Sequence, residues 1–225
     1  RDRSLSIFLS SGEASGDRHG ATLFRELSQL LPGVRGVGMG ASAMREAGVE
    51  LCVDSSGIGV IGLAEILRHY GEIRAALATM RRALHQYRPD LLICVDYKEF
   101  NFRLAQTAKA AGIRVLFYVS PQVWAWRPGR VRTYGRIVDH MALIFPFELP
   151  YYEAYGVPAT YVGHPLAGKV KPALSVAAAR RQYDLPGAEA GVPVIGLLPG
   201  SRGNENRRLL PVGLAAADRL AAECG

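Results

Sequence analysis

Residues 91–120, LLICVDYKEFNFRLAQTAKAAGIRVLFYVS, decide the fold class. Two unbroken apolar runs, 91–96 and 115–120, each close on a polar residue, Asp96 and Ser120. Such runs lack the alternation of a half-exposed strand and suit strands buried on both faces. Between them, 102–111 reads as a helix, and Gly112 supplies a left-handed stop. Strand, helix and strand at this spacing form a parallel crossover unit.

The same grammar extends in both directions. Residues 5–10 (LSIFLS) read as a buried strand, followed by a Gly/Ser turn and a helix over 19–31. Further strands are expected at 34–39, 142–145, 160–162 and 194–198, with a last helix over 206–222. Buried runs joined by helices give an α/β, doubly wound parallel sheet of Rossmann-like type. Between 169 and 193, Pro172, an Ala-rich Arg helix and LPGAEAGVP read as a linker. The boundaries this suggests are a domain over 1–168 and a linker and helix over 169–193, while 194–225 offers one strand, one loop and one helix, too little for a second domain with its own core.

Composition narrows the function classes. The chain has 225 residues, 49% hydrophobic and 21% charged, with mean hydropathy +0.07, which excludes a disordered tail or a small disulfide scaffold. Its 27 basic and 20 acidic residues give net charge +7, leaving a phosphate ligand, nucleic acid or an anionic membrane open as partners. Cys52, Cys94 and Cys224 show no CxxC or Cys/His spacing, so no zinc site is expected. No signal peptide precedes the first strand, and no apolar run approaches the roughly 18 residues of a membrane span. A cytosolic protein, soluble or peripheral, is expected.

Ligands of doubly wound sheets bind at the carboxyl ends of the strands, and the unusual residues follow the strands. SGEASGD (11–17) lacks GxGxxG spacing; Ser15 or Asp17 is placed to cap the next helix, while Glu13 sits at the mouth of the cleft. Asp96 and Glu99 are two carboxylates at one strand end, where a general base for a hydroxyl would be needed. The plainer alternative makes Asp96 a helix cap and Lys98 and Glu99 a solvated pair. PQVWAWR (121–127) holds both tryptophans, Trp124 and Trp126, beside Arg127, Arg130, Arg132 and Arg136. Tryptophans commonly serve a core, but two beside four arginines look more like a rim for an apolar or phosphorylated ligand. A basic aromatic stretch also suits nucleic acid, yet no recognition-helix, RNP or zinc-knuckle pattern accompanies it. PGSRGNE (199–205) lies between a strand and a helix, the setting of an anion site to which Arg202 adds a bidentate fork. It is not a Walker A loop, because GxxxxGK[ST] is absent.

In order, SGEASGD, GVGMG, IGVIGLAEIL, VDYKEFN, YVSPQVWAWRPGRV, FPFELPYY, YVGHPL and LLPGSRGNE resemble the lipid-A-disaccharide synthase family over residues 10 to 210. The resemblance implies the N-terminal, acceptor-side domain of an inverting GT-B glycosyltransferase whose C-terminal donor domain is truncated after its first strand and helix. The implied reaction joins UDP-2,3-diacylglucosamine to 2,3-diacylglucosamine 1-phosphate in lipid A biosynthesis and releases UDP. No metal or cofactor is implied, and nucleic acid is not an expected partner.

Carried onto this chain, the family pattern Asp-x-Pro-Asp-Phe-Asn places Glu99 at the base position. Lys98 replaces Pro, and the Glu arm is one methylene longer than Asp. Asp96 is the rival base. Arg202 would stabilise charge on departing UDP, with Gly200, Ser201 and Glu205 beside it in the same loop. Glu13, Ser15 and Asp17 would line the acceptor cleft, with Gln122, Trp126 and Arg127 further cleft residues. Asn101 and His164 match the pattern, as ligand contacts or as structural supports. The lipid substrates and basic charge imply a peripheral protein on the cytoplasmic face of the inner membrane. The apolar stretch 58–67 is either a core helix or its docking surface.

Overall fold

The structure is a computed structural model that describes residues 4–56, 63–122, 129–187, 193–200 and 203–224, with backbone alone for 63–69 and 224. The chain divides into two compact units, Arg1–Ala167 and Gly168–Gly225.

The first unit alternates strands and helices. Its order is β1 (Ser6–Ser11), α1 (Ala14–Leu30), β2 (Arg35–Gly40), α2 (Ser42–Glu46), β3 (Val49–Asp54) and α3 (Leu63–Tyr87). It continues with β4 (Leu91–Val95), α4 (Lys98–Ala110), β5 (Arg114–Tyr118), α5 (Arg130–Gly135) and β6 (His140–Leu143). A 3-10 turn (Pro146–Glu148), α6 (Leu149–Glu153) and β7 (Ala159–Tyr161) complete it. Among the described residues the strands form one seven-stranded sheet in the order β3-β2-β1-β4-β5-β6-β7, and every pairing is parallel. Strand order reverses between β1 and β4, the topological switch point of such sheets.

The apolar runs are continuous because both sheet faces are covered. On β4, Leu92 and Cys94 join one core with Met80 and Leu84 of α3 and Leu104 of α4. Ile93 and Val95 point the other way, into a core with Phe24 of α1 and Met44 of α2. Period-2 alternation thus sends neighbouring residues into different cores. Burying each large side chain contributes about 1.5–3 kcal/mol before entropy is counted.

Several boundaries differ from expectation. Helix α1 starts at Ala14 rather than 19, and α4 at Lys98 rather than 102. Residues 140–143 and 159–161 pair, rather than 142–145 and 160–162. Strand β3 and most of the 25-residue α3 were not expected. In the second unit, α7 (Val176–Gln182) and α8 (Gly203–Cys224) form, but 194–198 is not a strand. A strand needs a ladder partner, and among its described residues the second unit holds none. No described helix is long and apolar enough to cross a membrane.

Candidate active site

The two loops flanking the switch point, after β1 and after β4, are built against each other. Asp96 and Tyr97 both take left-handed backbone, each with φ near 50°. This costs about 1–3 kcal/mol per residue unless the surroundings enforce it. Asn101 enforces it from the first turns of α4. Its fully buried amide accepts from Ser10 Oγ at 2.6 Å and donates to the Asp96 carbonyl at 2.6 Å. The same nitrogen lies 3.2 Å from the Ser10 carbonyl and 3.4 Å from that of Val95. Asn101 therefore ties the end of β1 to the turn leaving β4. The Tyr97 ring lies directly over Gly12, where a Cβ would come within 2.3 Å of the ring. Burial and, secondarily, the charge of Glu13 push the Tyr97 hydroxyl pKa up.

The two carboxylates of the β4 loop differ. Asp96 is half-buried and makes no side-chain hydrogen bond or ion pair among the described residues. Glu99 is 64% exposed and accepts from Arg130 Nη1 at 2.6 Å. That hydrogen bond holds the Arg130 guanidinium above its ordinary pKa, while Arg130 also lies over the Phe102 ring. An exposed ion pair adds little stability, but it fixes where the Glu99 carboxylate points. Neither acid caps α4: Tyr97 holds the N-cap position and makes no side-chain cap.

Asp17 has a different post from the one expected. It lies inside α1, 3% exposed, and caps α2 rather than its own helix. Its Oδ1 accepts from the N–H groups of Ala41 at 2.7 Å and Met44 at 3.2 Å, and its Oδ2 accepts from Ala43 at 3.0 Å. Ser15, exposed in the first turn of α1, makes no cap either; Glu13 is the N-cap residue and its side chain does not cap. Beside them a cavity of about 430 Å³ is lined by Ala14, Arg18, Ser42, Ser55 and Ser56.

At the end of β5 the backbone is strained again, at Val119, with φ 65°. Ser120, buried, donates to Glu148 Oε1 at 2.8 Å, and the Phe145 N–H donates to Glu148 Oε2 at 3.3 Å. The Tyr152 hydroxyl donates to the Pro121 carbonyl at 3.4 Å. Gln122 follows, exposed. Trp124, Trp126 and Arg127 lie outside the described residues. His164, past β7, accepts the Leu166 N–H on Nδ1 at 3.2 Å and sets its ring 5.8 Å from that of Phe145.

In the second unit, Gly200 adopts φ 123°, and a Cβ there would come within 2.5 Å of Glu205 Oε2. Glu205 occupies the first turn of α8, where the helix dipole favours negative charge. Ser201 and Arg202 lie outside the described residues. The structure thus brings Glu13, Asp96, Glu99 and Asn101 to one end of the sheet, on the adjoining β1 and β4 loops, with Asn101 buried as their fastening. It turns Asp17 towards α2, and places Gly200 and Glu205 in the other unit.

Sequence reasoning assigned no role to Glu148, Ser120 or Tyr152, and counted Arg130 only among a run of cations. The motif FPFELPYY was visible, but nothing local marks its Glu as buried. Among the described residues, no group of three or more His, Cys, Asp or Glu is placed to hold a metal ion.

Comparison with known proteins adds the family. The family described as lipid-A-disaccharide synthetase matches residues 7–224. A lipid-A-disaccharide synthase of Geobacter sulfurreducens is 50% identical over 214 residues, 95% of this chain and 55% of the relative. One of Nitrosococcus oceani is 50% identical over 217 residues, 96% of this chain and 55% of the relative. The chain spans about half the length of the curated relatives it matches. Among solved structures, a UDP-N-acetylglucosamine 2-epimerase superposes with TM-score 0.53 at 12% identity, covering 77% of this chain and 53% of that one. At that identity the likeness concerns the fold alone.

Proposed function

The chain belongs to the lipid-A-disaccharide synthetase family, and from that premise we propose that it supplies the acceptor-side half of an inverting glycosyltransferase. The proposed substrates are UDP-2,3-diacylglucosamine as donor and 2,3-diacylglucosamine 1-phosphate as acceptor. One observation carries the reading: at the β1–β4 switch point of the parallel sheet, the loop leaving β1 carries Glu13 and the loop leaving β4 carries Asp96 and Glu99.

In the proposed reaction, Glu99 takes the proton of the acceptor 6-hydroxyl. The oxygen attacks the donor anomeric carbon from the face opposite UDP, the bond from that carbon to the UDP oxygen breaks, and the α-linked donor becomes a β-linked product. Arg130 orients the Glu99 carboxylate, because a base must sit within hydrogen-bond reach of its proton. Arg202 and the N-terminal end of α8 stabilise the charge gathering on UDP, a contribution of about 3 kcal/mol for donors of this kind. Residues 1–168 form the acceptor side, 169–193 the linker and 194–225 the beginning of the donor side. Gln122, Trp126, Arg127 and His164 belong to the proposed cleft, and the cavity beside Arg18 gives the acceptor room. Residues 58–67, the proposed membrane-docking stretch, lie outside the described side chains. The net charge of +7 suits an anionic membrane face on the cytoplasmic side.

A second reading exchanges the two acids. Among the described residues Asp96 makes no side-chain hydrogen bond or ion pair, whereas Glu99 is engaged by Arg130. Turnover of Glu99→Gln and Asp96→Asn in a family-length enzyme distinguishes them. Loss of kcat confined to Glu99→Gln supports the first reading; loss confined to Asp96→Asn replaces it with the second.

A further inference from the structure

We infer that Glu148 is a positioning residue for the transfer reaction: its buried carboxylate holds the strained end of β5 and so sets where Pro121 and Gln122 leave the sheet. The inference rests on the proposed function in one respect, that this loop serves the transfer.

Val119 is β-branched yet left-handed, with φ 65°, a conformation that persists only where its surroundings impose it. The residue after it, Ser120, is 5% exposed and has its hydroxyl on Glu148 Oε1 at 2.8 Å. Glu148 is 1% exposed and its other oxygen accepts the Phe145 N–H. One carboxylate therefore couples the end of β5 to the 3-10 turn that follows β6. Tyr152, fully buried, fastens the next residue through the Pro121 carbonyl. Burial pushes the Tyr152 hydroxyl up to about 12, with Ser120 pulling it down and the Glu148 charge adding to the rise. The tyrosine stays a donor across the working pH range.

A buried carboxylate is a costly way to fill space, since an apolar side chain would pack there without the desolvation penalty. What it supplies is direction: two acceptor oxygens aimed at two donors on two different strand ends. The loop so aimed begins at the carboxyl end of the sheet, the edge at which Asp96 and Glu99 stand.

The test follows backbone amide exchange at Val119, Ser120 and Gln122 by NMR, which reports on the strand end whether or not the reaction proceeds. Glu148→Ala and Ser120→Ala are expected to speed exchange at these amides relative to those of β4. Val49→Ala, a buried truncation on edge strand β3, is expected to lower thermal stability and leave that ratio unchanged. In a family-length enzyme, Glu148→Ala should lower kcat about tenfold or more with little change in KM. Glu148→Gln, which retains an acceptor for Ser120, should recover most of it. An unchanged exchange ratio in Glu148→Ala overturns the inference whatever the activity. An altered ratio with kcat falling only as far as in Val49→Ala overturns the role in the reaction. Wild-type product formation tests the proposed function separately.

Discussion

Replacing Asn101 with Ala removes the fastening between β1 and the β4 turn in one step. The change deletes the 2.6 Å bond from Ser10 Oγ and the amide donor shared among the carbonyls of Asp96, Ser10 and Val95. An amide nitrogen has two hydrogens, so three net bonds are lost rather than four. At about 1 kcal/mol each, with a further penalty for a Ser10 hydroxyl left buried and unpaired, the expected cost is about 3–5 kcal/mol. That is a large share of the roughly 5–15 kcal/mol that holds a domain folded. Urea unfolding of the chain measures it, as a lower midpoint at unchanged slope. Ser10→Ala alone should cost about 1 kcal/mol, and the double variant less than the sum, because both lose the same bond. Asn101→Asp adds a pH signature. Its carboxylate would face carbonyl oxygens, which raises its folded pKa above the unfolded value of about 3.9. Stability is then greatest below that value and falls as pH rises through the folded pKa, whereas the Asn101→Ala deficit stays flat. A cost under about 1 kcal/mol for Asn101→Ala, less than one ordinary hydrogen bond, would refute the reasoning.

Other consequences are independent of this one. Asp17→Ala strips three backbone donors of their acceptor and should destabilise by about 2–4 kcal/mol in the same unfolding assay, part of the loss being recovered by water at the partly exposed Ala41 and Ala43 amides. Ser15→Ala, at an exposed position, should leave the midpoint unchanged. Asp54 titrates at about 2, lowered chiefly by the hydroxyl and backbone N–H of Ser56 and then by Arg45. Its small surface contribution is present above the ordinary carboxylate range and lost as pH falls towards 2, so an NMR titration should find it among the last carboxylates to protonate. Gly12→Ala forces a Cβ into the Tyr97 ring, which should displace that ring and lower its protection from solvent, seen as greater tyrosine accessibility to nitration.

The parts of the fold legible in sequence were those with covered faces. LLICVD and VLFYVS stand out because β4 is buried on both sides and β5 packs apolar side chains on both, leaving no polar alternation to confuse the pattern. Edge strand β3, VELCVD, carries Glu50 and is only partly buried, so it lacks that signature. Helix α3 hides its apolar stripe of Ile73, Leu77, Met80 and Leu84 among arginines and glutamates. Residues 194–198 carry strand propensity, but propensity makes no ladder without a partner. The acids at the strand ends could be located because the doubly wound fold has a binding edge. Their partners could not: Arg130 reaches Glu99 across 31 residues, and Asp17 caps a helix 24 to 27 residues away. Pairings at that separation are set by the packed sheet and leave no local trace.

The most direct measurement supplies both lipid substrates to a family-length enzyme containing this chain and follows disaccharide 1-phosphate and UDP together. The account predicts both products in equal amounts, with their formation lost on changing the base at the end of β4 while the protein stays folded. Equal turnover in the wild type, Glu99→Gln and Asp96→Asn, or no product from a folded wild-type enzyme, would contradict it.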